Sequence, residues 1–396
     1  MEDPRERLVT NVSSGELERR WKAAREMMQE RKIDFLMMRQ DEEYYGGYVR
    51  WFTGIAPRHG YPFTVIFPID DEMTTITSSS PAAPGPPDWA VRGVKKKLGA
   101  PYYPSLHYTS TYDAELAVGV LNQKKGATIG IVGMSSFHVP FYLYLTQHLP
   151  GQTIVDVTDP IDYLRMIKSP EEIELIKGTA ALQDATIEHL EKTIKPGMKD
   201  LDIHAEADYV STKLGSTRLQ VLIGSYHPGE EPVRFQGRHY MNRVLREGDQ
   251  VVVLLEGNGP GGYYTEISRV FSLGEPAQEA KEMYAQVLEA QKVTLRLLKP
   301  GADPREIWDA NNEFLRKIGS PPEGRMYAHG EGYEMVERPA IRYDETMKIQ
   351  AGMNIAVHPN GKNSRVWIST CDNYLVTDNG VSPCLHKTPK DIIVIG

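Results

Sequence analysis

The chain has 396 residues, of which 40% are hydrophobic and 25% charged, the composition of a folded protein long enough for two domains. Its 45 Lys and Arg residues are outnumbered by 53 Asp and Glu residues, and the resulting net charge of −8 argues against binding to nucleic acid or to an anionic membrane. The first residues are polar, no apolar run of about 18 residues occurs, and only two cysteines are present. We therefore expect a cytoplasmic protein without a signal peptide or a membrane span.

The first part of the chain, up to residue 160, alternates between helical and strand patterns. Apolar residues at helical spacing predict a helix over 15–31. Short apolar runs typical of strands follow at 34–38, 63–67, 73–77, 128–132 and 153–157. The Pro- and Gly-rich segment 82–87 predicts a loop, and the run Lys95–Lys97 indicates the solvated face of a helix. Strands that alternate with helices predict a small α/β domain.

A domain boundary is predicted just before a strong helix start. Ser169 is a potential N-cap, Pro170 suits the first helical position, and Glu172 stands at the capping-box position. Apolar residues at helical spacing then continue to a Pro-Gly stop. The predicted domains are therefore 1–160 and 161–396.

The second domain contains an internal echo. Residues 194–216 and 298–320 both carry Lys-Pro-Gly at the same offset, then a helical stretch, then Lys-x-Gly-Ser. Two copies are too few for a solenoid. They predict a duplicated α+β unit whose halves are related by an approximate twofold.

The potentially catalytic side chains of the second domain occur in four segments, at 238–240, 256–269, 329–339 and 352–377. The second of these segments contains a glycine-rich turn, Gly257–Gly262. A phosphate-binding loop needs a helix directly after its glycines, whereas β-branched and aromatic residues follow here. The turn therefore predicts a hairpin between two strands and not a nucleotide site.

These segments, in this order, resemble the pita-bread family, which includes creatinase, prolidase, Xaa-Pro aminopeptidase and methionine aminopeptidase. The resemblance is carried by Leu164–Ile173, Gly262–Arg269, His329–Glu337, Gly352–Met353 and Val376–Gly380. It covers nearly the whole chain, and the N-terminal α/β domain fits the creatinase and prolidase branch. The resemblance implies an α/β N-terminal domain followed by a duplicated α+β catalytic domain of the pita-bread type.

The resemblance also implies where a metal centre would lie. Family peptidases hold two metal ions with two Asp, one His and two Glu. In this sequence those positions fall, in order, on Leu255 or Glu256, Glu266, His329, His358 and Cys371. Leucine cannot ligate, and the loss of bridging carboxylates removes what holds two cations close together. We therefore expect no dinuclear centre and favour no metal cofactor, with Cys371 a small buried residue and not a nucleophile.

Creatinase is the family precedent for hydrolysis of a C–N bond without metal, and its catalytic histidine corresponds best to His239, with His227 as the runner-up. We predict a hydrolase of a C–N bond in a small, partly cationic molecule, in which histidines and carboxylates act as general acid and base. The predicted catalytic residues are His239, Glu266, His329 and His358. The predicted substrate-binding residues in this domain are Glu256, Tyr264 and Glu337.

One further candidate lies in the first domain. Arg58 follows the segment Arg50–Gly54, in the region where creatinase-like proteins place residues that reach the active site of a partner subunit. The resemblance thus implies a homodimer in which Arg58 binds a carboxylate of the small-molecule substrate. The other reading of Arg58 is a solvated loop residue.

Three alternatives stay open. Glu266, His329 and His358 form a 2-His-1-carboxylate set that suits one Fe or Zn ion, and the chain would then be a mononuclear metal-dependent hydrolase or lyase. It could also be an Xaa-Pro peptidase-like enzyme, or a non-catalytic binding protein of the same fold. Replacement of most family ligands by other polar residues argues against a decayed site.

Overall fold

The computed structural model describes residues 7–396. The chain divides into two compact units, Met1–Arg165 and Met166–Gly396. The division falls after the helix Thr158–Arg165, which buries Ile161 in the first unit and so extends that unit past residue 160. None of the helices in the described part of the chain combines the length and the apolar character needed to span a bilayer.

The first unit is a mixed six-stranded sheet with helices packed against it. Its strands are β1 (Phe35–Gln40), β2 (Phe63–Pro68), β3 (Met73–Ser78), β4 (Val94–Ala100), β5 (Thr128–Val132) and β6 (Thr153–Asp156). Its helices are α1 (Ser14–Arg31), α2 (Gly47–Thr53), α3 (Tyr112–Leu121), α4 (Val139–His148) and α5 (Thr158–Arg165). The strand order is β4-β3-β2-β1-β5-β6. Apolar side chains of both layers, among them Met37, Ile66 and Phe141, form the core, which confirms the predicted α/β class.

One predicted element of this unit is wrong. The run Lys95–Lys97 lies on strand β4, which pairs in parallel with β3 at the edge of the sheet, and not on a helix. Lys95 and Lys96 are exposed, and Lys97 forms an ion pair with Asp88. Lysines on an edge strand discourage pairing with another chain, which explains a charged run at this position.

The second unit combines four long helices with three sheets, of four, five and two strands. Its helices are α6 (Pro170–Thr193), α7 (Asp200–Lys213), α8 (Gln278–Leu297) and α9 (Pro304–Lys317). Its longer strands are β7 (Leu219–Tyr226), β8 (Gln250–Asn258), β9 (Tyr264–Leu273) and β15 (Asp372–Thr377). The shorter strands are β10 (Ala328–Gly330), β11 (Glu337–Ala340), β12 (Asn354–Val357), β13 (Asn360–Lys362), β14 (Trp367–Ser369), β16 (Gly380–Val381) and β17 (Ile392–Ile395).

Helix α6 begins with the predicted capping box. The backbone N–H of Glu172 donates to the Ser169 hydroxyl at 3.2 Å, and the Glu172 carboxylate accepts the Ser169 N–H at 2.7 Å. The two contacts satisfy backbone donors that a helix start leaves open. The other Glu172 oxygen accepts the Tyr263 hydroxyl at 2.7 Å, so the same residue also ties α6 to the turn before β9.

The internal echo corresponds to two similar helix pairs. Helix α6 leads into α7 through the first Lys-Pro-Gly, and α8 leads into α9 through the second. Helices α7 and α9 both have 14 residues and begin at the same offset within their segments. This repetition agrees with the duplicated α+β unit of the predicted fold class.

Strands β8 and β9 form the predicted hairpin and place two glutamates on one face. They pair in antiparallel register within the sheet β17-β9-β8-β7, with Leu255 opposite Ile267 and Glu256 opposite Glu266. Leu255 and Ile267 pack in the core with helices α6 and α7. Because successive strand residues alternate faces, both glutamates lie on the opposite face, away from those helices. The second sheet, β11-β10-β12-β15-β16, contacts β9 through β15.

Candidate active site

The register of the hairpin resolves the ambiguity at the first ligand position. Leu255 is buried among apolar side chains, whereas Glu256 faces Glu266 across the strands. Both carboxylates are buried, with 8% and 3% of their surfaces exposed. Two like charges directly opposite each other are unfavourable unless a cation or a proton lies between them. The pair therefore needs positive charge nearby.

His329 supplies part of the surroundings of Glu266. It lies on β10, and its Nε2 is 3.5 Å from a carboxylate oxygen of Glu266. Its Nδ1 lies 3.0 Å from the carbonyl oxygen of Gly330, which can only accept, so the ring carries its proton on Nδ1. In the neutral ring, the lone pair of Nε2 then faces the carboxylate. That arrangement calls for a proton or a metal ion between the two groups.

His358, directly after β12, lies beside His329. The two ring centroids are 5.1 Å apart. Nε2 of His358 is buried and has no hydrogen-bond partner among residues 7–396. Burial lowers the pKa of His358 although the charge of Glu266 opposes that shift. A neutral imidazole with an unused nitrogen is suited to metal ligation.

A third carboxylate, Glu331, was not predicted. It is fully buried, and the ligand atoms of Glu256, Glu266 and Glu331 lie within 4.8 Å of one another. Burial raises the pKa of Glu331 well above its usual value, and the charges of the other two glutamates raise it further. The sequence held one signal for this residue, because Glu331 follows His329 by two positions and alternation puts both on one face.

Asn373 on β15 holds two of these carboxylates in position. Its side-chain oxygen accepts the backbone N–H of Glu266 at 2.8 Å. Its amide nitrogen donates to one oxygen of Glu331 and, at 3.2 Å, to the side chain of Asn354. The other oxygen of Glu331 has no hydrogen-bond partner in the described part of the chain. One acceptor therefore remains open towards the site.

The carboxylates differ in how readily they ionise. Burial, followed by the charge of Glu266, raises the pKa of Glu256 well above its usual value. Burial also opposes ionisation of Glu266, but His358 and His329 outweigh it and hold the pKa of Glu266 below its usual value. The Cys371 thiol hydrogen-bonds to Glu266, and burial raises its pKa. Cys371 is therefore a buried thiol, as the sequence predicted, and the expectation that it is not a nucleophile stays a prediction.

The structure does not bring the two predicted proton-shuttle histidines into this cluster. His239 is exposed on a short 3₁₀ helix, Arg238–Tyr240, and no hydrogen bond or ion pair joins it to another described residue. His227 pairs with Asp249 at 3.0 Å. Asp249 lies seven residues before Glu256 on an extended strand, a separation of about 23 Å.

The predicted substrate-binding residues have different surroundings. Tyr264 is buried on β9, and its N–H donates to the carbonyl oxygen of Gly332 at 2.7 Å. Glu337 accepts hydrogen bonds from Lys168 Nζ and from the Tyr333 N–H, both at 2.8 Å. These buried contacts engage both Glu337 oxygens, and the predicted role of this residue in substrate binding stays a prediction.

Arg58 belongs to the first unit and is described there alone. It is exposed and forms an isolated β-bridge with Tyr61. It lines a cavity of about 360 Å³ whose walls also include Phe63 and Trp89. Its predicted role towards a partner subunit stays a prediction.

Three groups of potential ligands lie in the described part of the second unit; Asp372, Cys384 and His386 form one, and the other two share Glu266. The imidazole group consists of Glu266, His329 and His358, and the carboxylate group consists of Glu256, Glu266 and Glu331. Within each group, one ligand atom per residue lies within 4.8 Å of the others. Imidazole nitrogens and carboxylate oxygens are common ligands of divalent metals. The unsatisfied atoms of His358 and Glu331 show that the residues present fit metal ions.

Comparison with known proteins identifies the family. The family model of metallopeptidase family M24 matches residues 174–378, and that of the creatinase/prolidase N-terminal domain matches residues 20–167. The chain therefore belongs to metallopeptidase family M24. The predicted fold class is confirmed, and so is a hydrolase that acts on C–N bonds.

Individual relatives are peptidases. The chain is 30% identical over 277 residues to an Xaa-Pro dipeptidase of Pyrococcus furiosus, covering 68% of this chain and 76% of that protein. It is 25% identical to PepE, a probable dipeptidase of Mycobacterium tuberculosis, covering 62% of this chain and 65% of the relative, just under two thirds of its length. The structure of an X-Pro aminopeptidase from Thermotoga maritima matches with a TM-score of 0.79 at 20% identity, covering 95% and 99% of the two chains. That last likeness shows the fold.

Membership of a metallopeptidase family corrects one expectation. The sequence favoured no metal cofactor because the family ligands were replaced, and that expectation is wrong. The ligands had been counted along the five family positions, and that count did not include Glu331, a buried carboxylate close to Glu256 and Glu266. A place in the metal-independent creatinase branch is not confirmed.

Proposed function

We propose that the chain is a metal-dependent peptidase that cleaves short peptides, in the manner of the Xaa-Pro dipeptidases and dipeptidases among its relatives. One observation carries this proposal: two groups of buried donor atoms meet at Glu266. The relatives support the Xaa-Pro peptidase alternative better than the creatinase-like reading. The homodimer and the role of Arg58 in it stay predictions.

Each donor residue has a separate proposed role in metal binding. Glu266 would hold metal in both groups, together with His329 and His358 on one side and Glu256 and Glu331 on the other. Metal bound in such a site polarises a carbonyl oxygen and supplies a nucleophile from water at neutral pH. The protein keeps its donors in fixed places, since Asn373 anchors β9 and β15 to each other at Glu266.

The neighbouring groups set the charge of the site. The Cys371 thiol donates to Glu266, so it supports the ionised carboxylate without adding a second negative charge. Nδ1–H of His329 donates to Gly330, which leaves Nε2 available as a ligand. An ionised, shared carboxylate beside imidazole nitrogens that offer a lone pair is suited to bind a divalent cation.

The test is hydrolysis of a substrate panel by the full chain, with and without chelator. The panel contains Xaa-Pro dipeptides, dipeptides without proline, and creatine. We expect dipeptide hydrolysis that is lost after chelation, restored by added metal, and lost in Glu266→Gln. Glu313→Gln is the matched control, because Glu313 is exposed and pairs only with Lys317 on a helix surface.

Two results would overturn the proposal. Hydrolysis of creatine that survives complete metal removal would support the metal-free reading instead. Absence of dipeptide hydrolysis by folded, metal-loaded protein would contradict peptidase activity altogether. If one bound ion per chain gives full activity, the mononuclear alternative of Glu266, His329 and His358 replaces the two-group centre.

A further inference from the structure

The two donor groups that meet at Glu266 differ in chemistry. The imidazole group offers two ring nitrogens and one carboxylate, whereas the carboxylate group offers only carboxylate oxygens. The family pattern has one histidine for the whole centre. His358 adds a second, and Glu331 adds a carboxylate at a position outside that pattern. The asymmetry is therefore a property of this chain's own residues.

Each group contains one donor atom that no described residue satisfies. Nε2 of His358 in the imidazole group and Oε1 of Glu331 in the carboxylate group are both buried without a hydrogen-bond partner in residues 7–396. Leaving a buried polar group unsatisfied is unfavourable, because the group loses its hydrogen bond to water without gaining another. A cation bound to each group would remove that cost. Because the two atoms belong to different groups, they are independent signs of two positions.

Outer contacts also orient the donors of each group. In the imidazole group, the contact from Nδ1 of His329 to Gly330 at 3.0 Å directs Nε2 towards Glu266. In the carboxylate group, Asn373 donates to the second oxygen of Glu331. Contacts of this kind fix the tautomer and orientation of a ligand. Outer contacts thus orient one donor in each group.

Donor type selects the metal. Imidazole nitrogens suit borderline ions such as Zn²⁺ and Co²⁺, while an all-carboxylate set suits hard ions such as Mn²⁺ and Mg²⁺. We propose that the imidazole group takes a borderline ion, that the carboxylate group takes a hard ion, and that the centre holds one of each. This inference rests on the proposed metal-dependent function and extends it to the identity of the two ions.

The test is metal loading of the full chain after chelator removal of bound ions. Co²⁺ binding is followed by its visible absorption, which responds to nitrogen ligands, and free Mn²⁺ is followed by electron paramagnetic resonance. We expect one tight equivalent of Co²⁺ that saturating Mn²⁺ does not displace, and one equivalent of Mn²⁺ that binds beside it.

Two variants separate the positions. His358→Ala should weaken the Co²⁺ equivalent by at least the roughly 10–100-fold that loss of an outer contact causes, and leave the Mn²⁺ equivalent in place. Glu331→Gln should do the reverse. His189→Ala and Glu313→Gln are the matched controls, since both residues lie in surface ion pairs. Circular dichroism and thermal unfolding establish that each variant is folded.

Three results would overturn the proposal: two equivalents of either ion that bind with equal affinity, displacement of Co²⁺ by Mn²⁺, or equal weakening of both ions in both variants. Dipeptide hydrolysis by the mixed-metal protein is measured separately. Selective loading without hydrolysis would contradict the proposed function and leave the selectivity standing. Hydrolysis with unselective loading would contradict the selectivity and leave the proposed function standing.

Discussion

The side-chain oxygen of Asn373 accepts the backbone N–H of Glu266 at 2.8 Å, and the amide nitrogen of the same residue donates to Glu331. One asparagine on β15 therefore positions two carboxylates, of which Glu266 lies on β9 and Glu331 directly after β10. Asn373 is not one of the candidate metal ligands. It affects the site by fixing the positions of Glu266 and Glu331.

The first prediction concerns this asparagine. Asn373→Ala should lower metal affinity by about 10–100-fold, because outer contacts of ligands contribute that much. It should also lower the free energy of unfolding by about 1–3 kcal/mol, since the Glu266 N–H loses its acceptor in the interior. Metal titration and urea unfolding measure the two effects. Asn242→Ala is the control, because Asn242 is exposed and its side-chain oxygen accepts a hydrogen bond from Lys199 Nζ. Unchanged metal affinity in folded Asn373→Ala would contradict the positioning role.

The course of β8 and β9 as a hairpin could be predicted from the sequence. Alternation along a strand and the glycine-rich turn are local signals, and both hold in the structure. Local sequence signals could not decide whether Leu255 or Glu256 faces the site. It depends on the register between the strands, which puts Leu255 among the helices and Glu256 opposite Glu266.

Glu331 and Lys95–Lys97 show two further limits of the sequence. Glu331 belongs to the site because Asn373, 42 positions later, holds it there, and such long-range contacts leave no local pattern. The lysine run was misassigned because strand β4 lies at a sheet edge, where polar residues replace the apolar alternation of a buried strand. In both cases tertiary contacts, and not the local sequence, determine the structure at that position.

The second prediction concerns the buried ion pair beside Asn373. Asp372 lies 2.7 Å from a guanidinium nitrogen of Arg269, and neither side chain is exposed. Asp372→Asn should lower the free energy of unfolding by about 3–5 kcal/mol, because the charge of Arg269 loses its counterion in the interior. Chemical denaturation measures this difference. In the control Glu313→Gln, which removes a surface pair, we expect a change within about 0.5 kcal/mol. Similar free energies of unfolding for the two variants would contradict a stabilising role of Asp372 as the buried counterion of Arg269.

The third prediction concerns pH and His386. Its Nε2 donates to Gln183 at 2.9 Å, its Nδ1 accepts the Asn373 N–H, and burial lowers its pKa to about 4. An unfolded chain would have a histidine pKa of about 6.5. Because the folded pKa is the lower one, the unfolded chain takes up the proton first as the pH falls. The contribution of neutral His386 is therefore complete above the unfolded pKa and is lost progressively between about pH 6.5 and 4.

This loss can be isolated with a side chain that does not titrate. The full effect of His386 is on the order of 3 kcal/mol. His386→Gln should be less stable than the wild type at pH 7, yet lose less stability between pH 7 and pH 5. Unfolding free energies at the two pH values give the comparison. An equal loss in both proteins would show that His386 does not titrate as described.

The last prediction separates the metal-dependent reading from the metal-free one through two histidines. Under the metal-dependent reading, His358→Ala loses the metal of the imidazole group and activity together, because Nε2 of His358 belongs to that group. His239→Ala should retain both, because His239 is exposed and makes no hydrogen bond to the described residues. Under the metal-free reading, His239→Ala would lower kcat by about 10²–10⁴-fold without changing metal content. Metal content and kcat of the same purified samples, measured side by side, decide between the two. A large loss of kcat in His239→Ala at full metal occupancy would restore the creatinase-like assignment.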